Sequence, residues 1–280
     1  CHQPDMNLTP PELLYLYFAA LSFAWGACIG SFANVCIYRI PRGESVVKPR
    51  SHCPHCGRTI AWYDNIPLFS IFALRQKCRN CAGPIASRYF FVELVSAAIF
   101  MLIWLRYGLD ARTPVYMLMV LGLVVGSFID VDHLILPDRI TVGGMLIGPA
   151  LSLAFPALHG EQSHYLGLRA SLIGLAFGAG LLGLIAGLGT AALKREAMGM
   201  GDVKLMGAIG ALLGWQACLF TVMLSSLIGA GVGVALIALR SKTFGSRIPY
   251  GPFIAIAAVA WMLGGSDLWD AYIRFIMMPA

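Results

Sequence analysis

At 280 residues, with 58% apolar and only 12% charged side chains, the chain lies far from the roughly 25% charged that is usual for a soluble domain. That balance excludes a water-soluble enzyme and predicts an all-α polytopic membrane protein. The formal charge of +6 requires no nucleic-acid partner, because the arrangement of the cations across a membrane accounts for it.

Long apolar stretches recur at 13–38, 89–105, 115–129, 140–158, 168–193, 203–239 and 249–263. Most are near the length that crosses about 30 Å of hydrocarbon. The sixth would reach roughly 55 Å at about 1.5 Å per residue, so it must break, and Gly214-Trp215 is the expected place. Eight transmembrane helices result. The half before the break is short for a full span, which predicts that the residues leading into it lie at membrane depth. With residue 1 outside, all but Arg106, Arg112, Arg169 and Arg274 of the 20 Lys and Arg fall on inward segments. By the positive-inside rule this orients both termini outward and puts Asp130 and Asp202 on the cytoplasmic face. The first stretch is too long for a cleaved leader and is followed by basic residues, so it is expected to remain as a helix. Cys1 is given no role.

Three segments are expected: 1–38, an external N-terminus and first helix; 39–88, a cytoplasmic zinc-binding domain; and 89–280, the membrane-embedded remainder. The middle segment is the one sizeable polar piece. Cys53-Pro-His-Cys56 and Cys78-Arg-Asn-Cys81 are two C-x2-C pairs 21 residues apart, close to the zinc-ribbon spacing in which two knuckles give four thiolates. So small a segment has little core, and a structural metal would hold it together. Disulfides or idle thiols are the alternative, and a reducing compartment argues against disulfides. His52 and His55 are read as bystanders.

Cys28, Cys36 and Cys218 sit in apolar helices as small hydrophobes. Glu93, in the first turns of the second membrane helix, either faces the interior with a partner or lies at headgroup level. Glycines such as Gly174, Gly178, Gly180, Gly183 and Gly187 allow close helix packing. His159, Glu161 and His164 are read as solvated loop residues.

Two acidic stretches carry the chemistry. Gly126-Ser-Phe-Ile-Asp130 ends the third apolar segment, with Asp132, His133 and Pro137-Asp138 after it, and Asp138 is expected to cap the following helix. Asp130 is still inside the apolar pattern and is the costliest of the three acids to place. Asp202 follows Gly199-Met-Gly201 and opens the next helix, where the dipole favours a carboxylate; Asp130, at a helix C-terminal end, meets the opposite bias. Within about 3–5 Å of each other the two would share one proton. Such a pair activates water and protonates a leaving group. The alternative is that each is an isolated helix-end residue.

These residues resemble those of the bacterial type IV prepilin peptidases, of the GxGD aspartic-protease group. The likeness runs along most of the chain: Gly30-Ser-Phe-Ala-Asn-Val-Cys-Ile-Tyr-Arg-Ile-Pro41, the two knuckles with Asp64-Asn-Ile-Pro-Leu68 between them, Arg88-Tyr89 with Val92-Glu93, Phe128-Ile-Asp130, Leu136-Pro-Asp138, Glu196-Ala-Met-Gly-Met-Gly-Asp-Val-Lys-Leu205 and Tyr250-Gly-Pro-Phe253. The resemblance implies an inner-membrane endopeptidase that removes the leader of prepilins or of secretion-system pseudopilins, cutting after a glycine on the cytoplasmic side. It implies a second activity, N-methylation of the new terminus with S-adenosylmethionine. Carried over, Asp130 and Asp202 are the catalytic pair, and Cys53, Cys56, Cys78 and Cys81 hold zinc in the methylation-associated domain. Asp130 is preferred to Asp132 because it stands seven residues before Pro137, as the single aspartate does in shorter relatives. Gln76 and Phe90 depart from the family's usual glycine and proline, and both touch the methylation side.

Rival readings are a peptidase without methyl transfer, a proton-coupled transporter, and a non-catalytic assembly factor with a zinc-ribbon docking module. The basic inner face also calls for an offset. It is sought in Glu44, Asp64, Asp132 or Glu196, or in anionic membrane lipid.

Overall fold

The computed structural model describes residues 9–196, 198–239 and 248–277. Cys1, Ala197 and the inward cations Arg240, Lys242 and Arg247 lie outside these. In hydrocarbon only a helix satisfies every backbone N–H and C=O within its own segment. Among the described residues the regular elements are accordingly helical: α1 Pro10–Arg39, α2 Phe69–Ala73, α3 Arg88–Tyr107, α4 Arg112–His133, α5 Asp138–Ala154, α6 His164–Leu193, α7 Met200–Leu213, α8 Trp215–Ala238, α9 Gly251–Ala260 and α10 Ser266–Met277. Six helical runs are long and apolar enough to cross a membrane: α1, α3, α4, α6, α8 and the run from α9 through α10. With the shorter apolar helices α5 and α7 they make eight. The break falls at Gly214, whose φ of +87° favours a residue without a side chain.

The last run differs from expectation. The apolar pattern ends at residue 263, but the chain passes through a π-helical turn at Trp261–Gly265 into α10. That helix carries Asp267, Asp270 and Arg274 beside exposed Leu268, Phe275 and Met277, so an apolar-run criterion misses it.

The described residues form two compact units: those up to 35 together with 46–113, and 36–45 together with 114 onward. In the first, α1 lies close on α3. A side chain at Gly26 would meet the Ala97 Cα at 2.8 Å, and one at Gly30 the Glu93 Cα at 2.7 Å. The Tyr15 hydroxyl donates to the Leu105 carbonyl at 2.6 Å, and the Trp104 indole returns a bond to the Tyr15 carbonyl at 3.1 Å.

The second unit is built around α7, which is buried from Val203 to Leu213 except at Lys204. At about 1.5 Å per residue its length is roughly 21 Å, less than the hydrocarbon is thick. It packs on α5, α6, α8 and α9. At the α6 crossing Gly174 and Gly210 meet backbone to backbone. Cys218 is buried there, its sulfur 3.5 Å from the Gly214 carbonyl, and Cys36 is buried as well, in keeping with packing roles. The 156–164 connection is hydrogen-bonded rather than simply solvated. His159 Nε2 lies 2.9 Å from Ser152 Oγ, and His164 Nδ1 donates to the Leu153 carbonyl at 2.7 Å. Burial pushes the His159 pKa down.

Candidate active site and metal centre

Asp202 is the third residue of α7, with Gly199 as the extended residue before the helix. Its N–H donates to the Gly199 carbonyl at 3.1 Å, closing the entry turn. The carboxylate therefore lies by the first turn, where the free N–H groups give the helix its positive end. Asp130 is in the last turn of α4, and its carbonyl accepts the Leu134 N–H at 2.8 Å as the chain leaves the helix. Its Oδ2 accepts the Gly251 N–H at 2.9 Å. That donor belongs to the first residue of α9, so Asp130 also sits against a helix N-terminus, which offsets the bias of its own helix end. Both carboxylates are buried, 6% and 8% exposed, and the charge of Asp130 acts on Asp202. Asp132, two residues along α4, is exposed.

Leu136 sits where the helices that carry or contact the two aspartates come together. This half-buried side chain, in the loop between α4 and α5, lodges where three helices present glycine. A methyl group at Gly126 of α4 would lie 3.3 Å from its Cδ2, one at Gly201 of α7 2.8 Å from its Cβ, and one at Gly251 of α9 3.3 Å from its Cδ2. The same methyl at Gly251 would lie 2.9 Å from Asp130 Oδ2.

Two further contacts brace this arrangement. Asp138 is the first residue of α5 and makes no capping bond; it instead takes Lys204 Nζ of α7 at 2.6 Å. The expected N-cap is thus an inter-helix ion pair, because Pro137 already holds the extended position before the helix. Tyr250 fixes the start of α9, its hydroxyl 2.7 Å from Ser225 Oγ of α8. Gly251, Leu136, Lys204 and Tyr250 all lie in the quoted motifs, yet nothing in their residue types announced these roles.

In the other unit, Cys53, Cys56, Cys78 and Cys81 bring their four sulfurs within 4.8 Å of one another. A tetrahedral site with Zn–S of about 2.3 Å needs sulfurs about 3.8 Å apart, and Cys53 and Cys81 stand at 3.8 Å. Each knuckle is closed in the same way. The Gly57 N–H donates to the Cys53 carbonyl and the Ala82 N–H to the Cys78 carbonyl, both at 2.9 Å, with Gly57 and Ala82 at positive φ. Backbone N–H groups of Cys81 and Asn80 pull the Cys78 thiol down to about 7, while at Cys81 the pull of the Gly83 N–H is outweighed by desolvation and the adjoining thiols, which push it up to about 11, so the first proton leaves the cluster at Cys78. This donor set fits zinc. The His55 ring packs against Gly83, and His52 Nδ1 lies 3.3 Å from the Arg50 carbonyl.

Around this centre, Asp64 accepts both Nε and an Nη of Arg79, from the second knuckle, which holds its carboxyl below the usual range. Glu93 has partners: its Oε2 accepts the Leu68 N–H at 2.8 Å, and Ser31 also bonds it. Gln76 adopts φ +57°, which explains a preference for glycine there, and the Phe90 ring packs edge-on against Phe72.

Residues 24–107 match the model of the bacterial peptidase A24 N-terminal domain, and residues 117–234 match that of the type IV leader peptidase family. Similar curated proteins carry the name prepilin leader peptidase/N-methyltransferase. The Myxococcus xanthus protein is 42% identical over 220 residues, 79% of this chain. The match spans 63% of that relative's length. The Pseudomonas aeruginosa protein is 35% identical over 287 residues, covering 93% of this chain and 95% of the relative. The Aeromonas hydrophila protein is 36% identical over 292 residues, with the same coverage. No solved structure matches.

Proposed function

Because the chain belongs to the type IV leader peptidase family, a family of proteases, we propose that it removes the leader from prepilins or pseudopilins by an Asp130–Asp202 pair. The observation that carries this reading is that two of the few buried charged side chains among the described residues are Asp130 and Asp202, each at a helix N-terminus that packs on Leu136, with the charge of Asp130 reaching Asp202. Two carboxylates that feel each other hold one proton between them. The ionised member takes a proton from water as the water attacks the scissile carbonyl, and the protonated member gives its proton to the carbonyl oxygen; as the C–N bond breaks, the first passes its newly gained proton to the leaving amine and the second recovers one from the collapsing gem-diol. No covalent enzyme intermediate forms. Burial of Asp130 beside Asp202, against exposure of Asp132, supports the choice of Asp130.

The cut follows a glycine, on the cytoplasmic side of a bacterial inner membrane, as the family likeness and the distribution of Lys and Arg suggest. The segment 39–88 binds one zinc through Cys53, Cys56, Cys78 and Cys81, which would supply rigidity to a piece with little core. The relatives' names support a second activity, methylation of the new terminus from S-adenosylmethionine; no residue is assigned to the donor.

Purified protein incubated with a prepilin and S-adenosylmethionine, followed by mass measurement of the product, tests both activities. A cleaved product one methylene heavier is expected; an unmodified terminus leaves a peptidase alone. Asp130→Asn and Asp202→Asn should each abolish cleavage in a folded protein. Full cleavage by either refutes the pair, and loss in Asp132→Asn alone moves the assignment.

A further inference from the structure

The polar segment between α1 and α3 exposes aromatic side chains that its small core does not use. Trp62 is 81% exposed, Phe69 65% and Phe72 68%. Phe69 and Phe72 belong to α2, and two contacts set the depth of that helix along α3. The Leu68 N–H, just before α2, donates to Glu93 at 2.8 Å, and the Phe72 ring meets the Phe90 ring edge-on with centroids 5.3 Å apart. Phe90 and Glu93 lie in the first two turns of α3, and Glu93 is only about 7.5 Å along the axis from Arg88. For a helix that crosses a bilayer, those turns lie where headgroups give way to acyl chains. Tyr89 and Phe91 are exposed on the same turns, the pattern of an interfacial aromatic belt.

Charge points the same way. Residues 46–88 hold seven Lys or Arg and one acid, Asp64, which is already engaged by Arg79. Arg75 and Lys77, immediately after α2, are exposed.

We propose that α2 is an interfacial anchor: Phe69 and Phe72 enter the acyl boundary of the adjoining leaflet, while Arg75 and Lys77 meet anionic headgroups. Apolar rings with flanking cations are the combination that binds negatively charged lipid surfaces. Lipid is the occupant rather than a soluble protein, because the contacts with Phe90 and Glu93 hold this face at the depth of the bilayer surface itself. The anchor also supplies the offset that the basic segment needs, since the leaflet contributes the opposing charge.

The test uses the full chain in nanodiscs whose acyl chains are brominated near the headgroup end, made from phosphatidylcholine with or without phosphatidylglycerol. Emission from Phe72→Trp is read as the difference from the parent chain, with Thr59→Trp, on the exposed first knuckle, as the water-facing control. The tryptophan at position 72 should be quenched strongly and the one at 59 hardly at all, with deeper quenching at 72 when phosphatidylglycerol is present. Changing Arg75→Gln and Lys77→Gln should weaken that lipid-dependent part by about fivefold per cation. Phe69→Trp is the second reporter should Phe72→Trp fail to fold. Equal quenching at 72 and 59 overturns the proposal, as does emission that responds to an added soluble protein and not to brominated lipid.

Discussion

Gly251→Ala isolates the role of the α9 N-terminus at Asp130. The added Cβ would stand 2.9 Å from Asp130 Oδ2, where ordinary contact begins at 3.4 Å, so the carboxylate must retreat by about 0.5 Å. Gly251 is the first residue of α9, outside the helix interior where alanine gains most over glycine, so folding of the variant is measured beside its rate. Misplacement of a reacting group by about 1 Å can cost about a hundredfold in rate, so half that displacement should cost about tenfold in kcat. Purified parent and variant are compared for prepilin cleavage under single-turnover conditions, with thermal unfolding run alongside. Gly143→Ala, in α5 where a Cβ meets nothing within 4 Å, is the matched control and should leave the rate unchanged. A Gly251→Ala protein that cleaves at the parental rate would refute the claim that this close approach positions Asp130 for reaction.

Other expectations concern the metal centre and two loop residues. Metal analysis should find one zinc per chain, lost in Cys53→Ser. Protons compete with the metal for the four thiolates, so zinc retention should fall as the buffer is taken from pH 7 towards 5, read by a chromogenic chelator. Gln76→Gly should raise thermal stability by about 0.5–1 kcal/mol, because relief of a left-handed non-glycine residue slightly exceeds the added entropy of the unfolded chain. Burial depresses the His159 pKa below its ordinary 6.5, so the unfolded chain takes the proton first. Its stabilising effect is whole above that pH and is lost as pH falls through the lower folded value. The fall in melting temperature between pH 7 and 5 should be smaller in His159→Asn.

The helices and the cysteine cluster were legible in the sequence because each has a local signature. Apolar length against hydrocarbon thickness predicts α1 and α3 to α9, though not the five-residue α2 of the polar segment, and even the break at Gly214 follows from the excess length of the sixth stretch. C-x2-C spacing brings the two thiols of each knuckle together, and the paired motifs marked the four as one set. What could not be read is long-range pairing. Gly251 stands 121 positions from the Asp130 that it serves, and Lys204 stands 66 from Asp138. Asp138 looked like a helix cap because local rules favour aspartate there, and a distant lysine claimed it. Helix α10 escaped for a different reason: its charges face one way and its apolar side chains another, so no uninterrupted apolar run marks it. Glu93 admitted two readings until the Leu68 N–H supplied its partner.

Leu136 gives the region a common gauge. Its side chain is the spacer against which α4, α7 and α9 are each set, and each meets it at a position that carries no side chain of its own. Gly126, Gly201 and Gly251, though scattered over the chain, therefore behave as one composite residue. A Cβ introduced at any of them displaces the same leucine, so the first change alters the cost of the next, and their effects should not add. A smaller side chain at 136 would in turn make room for alanine at Gly126, but not at Gly201, where the contact is with the Cβ of residue 136 itself, nor at Gly251, where Asp130 Oδ2 is the nearer atom.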